Sequence, residues 1–232
     1  MDITVTSDLS VELIDCMGDD SRIVAAARVS TKGTRAEDES APGLINYLMK
    51  NRHGTPFEHG SMTFRVSAPI FVFREWHRHR VGWSYNEESG RYKQLEPKFY
   101  IPSAARKIRQ TGKPGHYTYE TGTYKDYLLV YDSILDACCR AYENYSAMLD
   151  EGIAREVARM CLPVNIFSTM YATCNPRSLM HFLGLRTQHE EAKFPSFPMH
   201  EISMAADIME HYFYQLYPIT STAWHENGRV AP

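Results

Sequence analysis

The sequence predicts an α+β fold, and three observations carry that expectation. Several short stretches alternate apolar and polar residues, as half-buried strands do. Longer stretches repeat at the helical period between capping and stop residues. The strands gather in places and the helices elsewhere, which argues against a regular alternating fold. At 232 residues the chain can bury enough surface to stand without metals or disulfides, and residues 1–232 are expected to form a single domain.

Taken in order, MDITVTSD and SVELID read as two strands, and DDSRIVAAARVS sets cap-type residues ahead of an alanine-rich helix. PGLINYLMKN is a second helix, with Pro42 near its start and Leu44, Ile45, Leu48 and Met49 on one face. HGTPFEHG turns into the strand SMTFRVS, and Pro69 opens a short helix, PIFVFREWHR, at a position that tolerates a missing N–H. Residues 93–118 combine three prolines and two glycines with many basic side chains, so a long, mobile, lid-like connection is expected there. From about 119 to 150 the pattern is helical, with Leu128, Leu129, Ile134, Leu135 and Met148 on or near one stripe. GIAREVARMCLP adds a shorter helix stopped by Pro163, and VNIFSTMYATC reads as a buried strand. NPRSLMHFLGLR is a helix with Pro176 in its first turn, and MHEISMAADIMEHYFYQLYP is another, stopped by Pro218.

The formal charge of −3 argues against a generic nucleic-acid binder, so any anion site must be local. Five cysteines with no C-x-x-C suggest neither a disulfide framework nor a zinc knuckle, and the chain is expected to be reduced and cytoplasmic. No basic and apolar leader opens it, and no run approaches the ~20 apolar residues that cross a bilayer. Glycine-loop phosphate motifs, H-E-x-x-H and G-x-S-x-G are all missing.

What the chain does have is RHRVGWSYNEESGRY at 78–92, directly behind an apolar run. Arg74, Arg78, Arg80 and Arg91 are interleaved with Trp76, Trp83, Tyr85 and Tyr92. Guanidinium forks bind two phosphate oxygens at once and aromatic faces stack on rings, so the mixture suits an aromatic, phosphorylated ligand. Each arginine taken singly is also consistent with a solvated helix face. His53, His59, His77 and His79 invite a metal reading, but the neighbouring arginines would repel a cation. Ser84 and Ser89 could be nucleophiles; a serine in an arginine-rich turn more often donates to phosphate. An RNA-binding module that stacks bases on the Arg/Tyr cluster is the alternative from another functional class.

Arg78-His79-Arg80 followed by Ser84-Tyr85-Asn86-Glu87-Glu88-Ser89-Gly90-Arg91-Tyr92 resembles the signature of the flavin-dependent thymidylate synthases, the ThyX family. ARVS (27–30), HGTPFEH (53–59), PIFVFREWHRHR through FYIPS, REVARMCLP (155–163) and NPRSLMHFLGLR (175–186) resemble further family segments in the family's order. The resemblance implies a central, mostly antiparallel sheet flanked by helices, without a Rossmann motif. It also implies a homotetramer with shared active sites that binds FAD, NADPH, dUMP and methylenetetrahydrofolate, and no nucleic-acid or membrane partner. The implied reaction passes a one-carbon unit from the folate to the uracil ring, and a hydride from NADPH-reduced flavin completes the methyl group of dTMP.

Position by position, the resemblance implies flavin contacts at Ser30, Thr55, Glu58, Arg78, His79, Arg80, Asn175, Arg177 and His181. It implies substrate contacts at Glu75, Arg78, Glu87, Glu88, Ser89, Gly90, Arg91, Arg159 and Arg186, with His53 and Tyr92 near flavin and folate, and no metal site. Arg186 matches the arginine that favours ionisation of the uracil ring nitrogen, a catalytic role played by a fixed charge. The chain departs from the family pattern in four places. Eight residues, Val81 to Glu88, separate Arg80 from Ser89 where seven are usual, and Gly82-Trp83 is expected to absorb the extra one. Glu75 stands where glutamine is common and His181 where asparagine is frequent, and the histidine usual four residues after Arg186 is missing, which leaves the place open between His189 and His200. The other thymidylate synthase class needs a cysteine nucleophile after proline, and this chain has no Pro-Cys pair.

Overall fold

The structure is a computed structural model that describes residues 2–32, 41–113 and 116–232. The strands are β1 (Thr4–Thr6), β2 (Ser10–Met17), β3 (Ser61–Pro69), β4 (Trp83–Glu87), β5 (Lys98–Tyr100), β6 (Arg109–Lys113), β7 (His116–Glu120) and β8 (Phe167–Cys174). The helices are α1 (Asp20–Lys32), α2 (Ala41–Lys50), α3 (Ile70–Trp76), α4 (Tyr124–Asp150), α5 (Arg155–Ala158), α6 (Pro176–Arg186), α7 (His200–Leu216) and α8 (Pro218–Glu226). The expected α+β class holds, with largely antiparallel sheet and flanking helices; β1 and β5 are a parallel exception. The chain gathers into two compact units. One comprises Met1–Leu9, Ser67–Arg74 and Glu87–Thr169, and the other Ser10–Val66, Glu75–Asn86 and Met170–Pro232.

In the first unit β1 pairs with β5, placing Val5 beside Phe99. Phe99 packs with Leu95, Cys138, Tyr142, Tyr145, Ala158 and Ile166 in the unit's core. The long helix α4 starts on a reciprocal cap: the Thr123 hydroxyl accepts from the Asp126 N–H while the Asp126 carboxylate accepts from the Thr123 N–H. Its buried face is Cys138, Tyr142, Tyr145 and Ser146, one stripe at helical spacing. Two tyrosines of that stripe fix one peptide unit. The Tyr142 hydroxyl donates to the Leu95 carbonyl at 2.8 Å, and the Leu95 N–H donates to the Tyr145 hydroxyl at 3.2 Å.

Most of the second unit is built on a four-stranded sheet in the order β2-β3-β8-β4. Alternation buries Met62, Phe64 and Val66 of β3 and Met170, Ala172 and Cys174 of β8. α6 opens on Asn175, whose side chain accepts from the Ser178 N–H at 2.8 Å with Pro176 at the first helical position, and it buries Leu179, Met180, Phe182 and Leu183. α8 is capped from far away: the buried Asp20 carboxylate accepts from the Ile219 N–H at 2.8 Å, the Thr220 N–H at 2.9 Å and the Thr220 hydroxyl at 2.6 Å.

Four readings of the sequence need correction. Residues 93–118 are not one irregular connection, for they contain β5, β6 and the start of β7. β5 is held by the distant β1 and by Asn165, which donates to the Tyr100 carbonyl at 2.8 Å. β6 and β7 form an antiparallel ribbon whose cross-strand pairs, Arg109 with Glu120 and Thr111 with Thr118, are polar, so no hydrophobic period marks it. On α4, Ile134 and Met148 pack against the core as expected, but Leu128 and Leu129 are exposed and the tyrosine face is buried. Pro69 closes β3 and the helix starts at Ile70, whose N–H donates to the Ile166 carbonyl at 3.0 Å. Pro218 stops α7 but also starts α8, which the sequence reading missed because its cap comes from Asp20.

Candidate active site

In the second unit a cleft of about 430 Å³ collects the residues behind α3 and the first turns of α6. Arg78, His79, Arg80, Val81 and Gly82 line one side, and Asn175, Arg177, Ser178 and His181 line the other. Glu58 reaches it from the 3₁₀ turn Thr55–Glu58, which is anchored by the fully buried Phe57. The two sides touch. The buried Ser178 hydroxyl donates to the Val81 carbonyl at 2.8 Å, so the Arg-His-Arg turn is tied to the helix start. Gly82 makes the close approach possible: its φ of 68° is left-handed, and a Cβ there would sit 2.2 Å from the Ser178 hydroxyl. The turn at Val81-Gly82 lies directly before β4, where the extra residue of this chain was expected to be absorbed.

Arg177 in this cleft and Arg186 beside it are already positioned. Arg177 pairs with Glu58 at 2.5 Å and donates to the Pro232 carbonyl at 2.6 Å. A Cβ on Gly54 would fall 2.5 Å from the Arg177 Nε, so the glycine of HGTPFEH makes room for this arginine. Arg186, at the end of α6, is mostly buried, with 16% of its side chain exposed. It donates to the Glu75 carboxylate at 2.7 Å, to the Glu75 carbonyl at 3.1 Å and to His79 Nε2 at 3.0 Å. Glu75, a carboxylate in a place usual for glutamine, is therefore matched by a guanidinium. Since Nε2 accepts, the His79 proton sits on Nδ1. Burial, then the charge of Arg186 and the neighbouring His181, push the His79 pKa down to about 4 and keep the ring neutral at pH 7. His181 is also shifted down, by desolvation and then by Arg177 and Arg52. Phe182 supports this arrangement from below, edge-on to His79 at 4.8 Å and against Trp76 at 4.7 Å.

A separate cavity of about 290 Å³ lies in the first unit. Glu87, Glu88, Gly90, Glu156, Arg159 and Ser168 supply its polar lining. Ser89 shapes the turn: its carbonyl accepts from the Tyr92 N–H at 3.0 Å and its hydroxyl from the Arg91 N–H at 3.3 Å. Gly90 is buried, and a Cβ on it would press on Leu95 at 3.2 Å and on Arg159 at 3.3 Å. Arg91 pairs with Glu156 at 3.0 Å and Lys93 with Glu88 at 2.5 Å.

The structure thus gathers Glu58, Arg78, His79, Arg80, Asn175, Arg177 and His181 around one cleft, with Arg186 bonded to its His79 and Glu75 bonded to Arg186. It gathers Glu87, Glu88, Gly90 and Arg159 around the other cavity, with Ser89 and Arg91 in the adjoining turn. Four expected residues are not brought in. Ser30 donates to the Ala27 carbonyl within α1, His53 stacks on Tyr47, Thr55 starts its 3₁₀ turn without lining the cleft, and Tyr92 is 79% exposed. Neither His189 nor His200 lines a cavity described here; His189 lies edge-on to His225. Sequence reasoning missed Ser178, Gly82 as a docking glycine, and Glu156. The S-x-x-H spacing of Ser178 in a helix capped by Asn175 could have pointed to the first of these.

A turn rich in arginine, docked through a glycine on a capped helix start, concentrates guanidinium groups beside a helix N-terminus, a setting that suits an anionic ligand without a glycine loop. The family model described as thymidylate synthase complementing protein matches residues 12–219, and the chain belongs to this family, the flavin-dependent thymidylate synthases. It is 58% identical over 99% of its length to a flavin-dependent thymidylate synthase of Streptomyces coelicolor, covering 96% of that protein. It is 50% identical over its whole length to another of Tropheryma whipplei, covering 98%. Among solved structures it is similar to a UMP/dUMP methylase, PolB, from Streptomyces cacaoi bound with 5-Br UMP. The TM-score is 0.94 at 50% identity, over 99% of each chain. These relatives give no support to the RNA-binding alternative.

Proposed function

We propose that the chain converts dUMP to dTMP, taking the one-carbon unit from methylenetetrahydrofolate and the hydride from FAD reduced by NADPH. It does so as a cytoplasmic homotetramer in which residues 1–232 act as one domain and each active site draws on more than one subunit. No nucleic acid or membrane takes part; among the described residues no helix is long and apolar enough to cross a bilayer. The observation that carries the reading is the cleft where Arg78-His79-Arg80 is tied through Gly82 and Ser178 to the start of α6.

The residues of that cleft fit a flavin dinucleotide. Arg78, Arg80 and Arg177 offer charge to its phosphates beside a helix N-terminus, and Asn175, His181 and Glu58 offer neutral and acidic partners to its other polar groups. When bound, the flavin supplies the hydride. Arg186 acts on the uracil by favouring its ionised ring nitrogen. Three of the guanidinium's five N–H donors are held by Glu75 and His79, which fixes the plane of the fork and leaves two for a ligand. A neutral His79 serves this arrangement, because an imidazolium could not accept from Arg186. Ser89, Gly90, Arg91 and Arg159 take the nucleotide, with the basic groups toward its phosphate.

The test is an anaerobic spectrum of the purified protein followed by turnover. Added NADPH should bleach the bound flavin, and dTMP should form only when dUMP and methylenetetrahydrofolate are both present. Turnover by flavin-free protein would refute the reading. Substituting UMP for dUMP in the same assay asks whether this chain shares the wider substrate range in the name of its structural neighbour.

A further inference from the structure

We infer that Ser168 is a binding residue for the neutral, nucleoside portion of the nucleotide, an inference that rests on the function proposed above. Ser168 lines the 290 Å³ cavity of the first unit, at the start of β8. It is 3% exposed, and among the described residues its hydroxyl has no hydrogen-bond partner. A buried hydroxyl without a partner is costly, and few native serines are left so. The backbone beside it is paired, since the Thr169 carbonyl accepts from the Glu88 N–H at 2.8 Å.

The lining decides which part of the ligand meets this hydroxyl. Ile70, Leu95, Leu162, Val164 and Ile166 give the cavity an apolar wall, whereas its one guanidinium is that of Arg159. A phosphate dianion buried against aliphatic side chains would lose its hydration without compensation, so it belongs with the basic groups. An uncharged ring with a few polar atoms fits an apolar wall bearing a single hydroxyl. Ser168 can donate to a carbonyl of the base or pair with a hydroxyl of the sugar, since it carries one donor and two acceptor sites.

The experiment compares wild type, Ser168→Ala and Ser168→Thr as flavin-loaded proteins, by calorimetric titration with dUMP and, separately, with inorganic phosphate. Ser168→Ala should weaken dUMP about fivefold, the scale of one neutral hydrogen bond, and leave phosphate affinity unchanged. Ser168→Thr, which keeps the hydroxyl, should bind dUMP within about twofold of wild type. Without nucleotide, Ser168→Ala should melt at the same temperature as wild type or higher, because it removes an unpartnered polar group. A serine that merely holds the fold would give the opposite shift. Unchanged dUMP affinity, a parallel loss of phosphate affinity, or a lower or lost melting transition in Ser168→Ala would each overturn the inference. If wild type itself fails to bind dUMP, the proposed function falls and takes this inference with it; if only the variant matches wild type, the function stands and Ser168 alone is wrongly assigned.

Discussion

The cleft of the second unit and the cavity of the first reach readiness in different ways. In the cleft the chief groups are held by partners within the protein: Arg177 by Glu58, Arg186 by Glu75 and His79, and Asn175 by the Ser178 backbone. At the cavity the paired cations, Arg91 and Lys93, are more exposed than those of the cleft. Arg91 and Glu156 are each more than half exposed, and the buried Ser168 hydroxyl has no partner among the described residues. The contrast teaches where preorganisation is invested. A site that stabilises developing charge gains from donors fixed before reaction, whereas a site that admits and releases substrate on every turnover gains from groups satisfied only when it is filled.

The contrast can be broken at Arg186 first. Arg186→Ala should lower kcat by about 100-fold or more with flavin content retained, as expected when a preorganised donor is removed. A rate within a few-fold of wild type would take away its role. Gly82→Ala should come next. A left-handed φ costs a non-glycine residue roughly 1–2 kcal/mol, and the added Cβ also meets Ser178, so the variant should melt lower and carry less flavin per subunit. Full flavin occupancy at an unchanged Tm would show that the docking is dispensable.

The His79 pKa gives a signature in pH. Because the folded ring titrates near 4 and a free histidine near 6.5, the unfolded chain binds the extra proton between those values. Stability contributed by the neutral ring is complete above about pH 6.5 and is lost as pH falls toward 4. Urea titrations of wild type and His79→Gln should therefore diverge in slope across that window; identical slopes would mean that His79 is not desolvated. The smallest effect is expected at Arg91. Its exposed pair with Glu156 should contribute less than about 1 kcal/mol, so Arg91→Gln should scarcely move Tm while raising the KM for dUMP. A large loss of stability would make it a structural arginine and erase the difference between the two regions.

Much of both regions could be read from the chain because their residues are contiguous. Arg78 to Arg80 and Glu87 to Arg91 lie in one arginine-rich stretch that composition picks out, whereas Asn175 to His181 was singled out by the resemblance to the family. Partners supplied across long separations left no local trace. Glu75 and Arg186 are 111 positions apart, and nothing near either announces that the carboxylate is matched. Ser168 shows a different limit, since a serine in a buried strand looks the same whether its hydroxyl is satisfied or waiting. The α4 stripe was legible only in part: Ile134 and Met148 do pack against the core, but Leu128 and Leu129 are exposed, and Tyr142 and Tyr145 take the buried face because they bring hydroxyls that Leu95 needs and combine core volume with a polar end.

The clasp of Asp20 on α8 bears on the order of events during synthesis. Its three donors arrive 199 and 200 residues later, so a nascent chain still on the ribosome carries an anion whose permanent burial must wait. The contact joining α1 to α8 therefore cannot close until about 200 residues beyond Asp20 have been made.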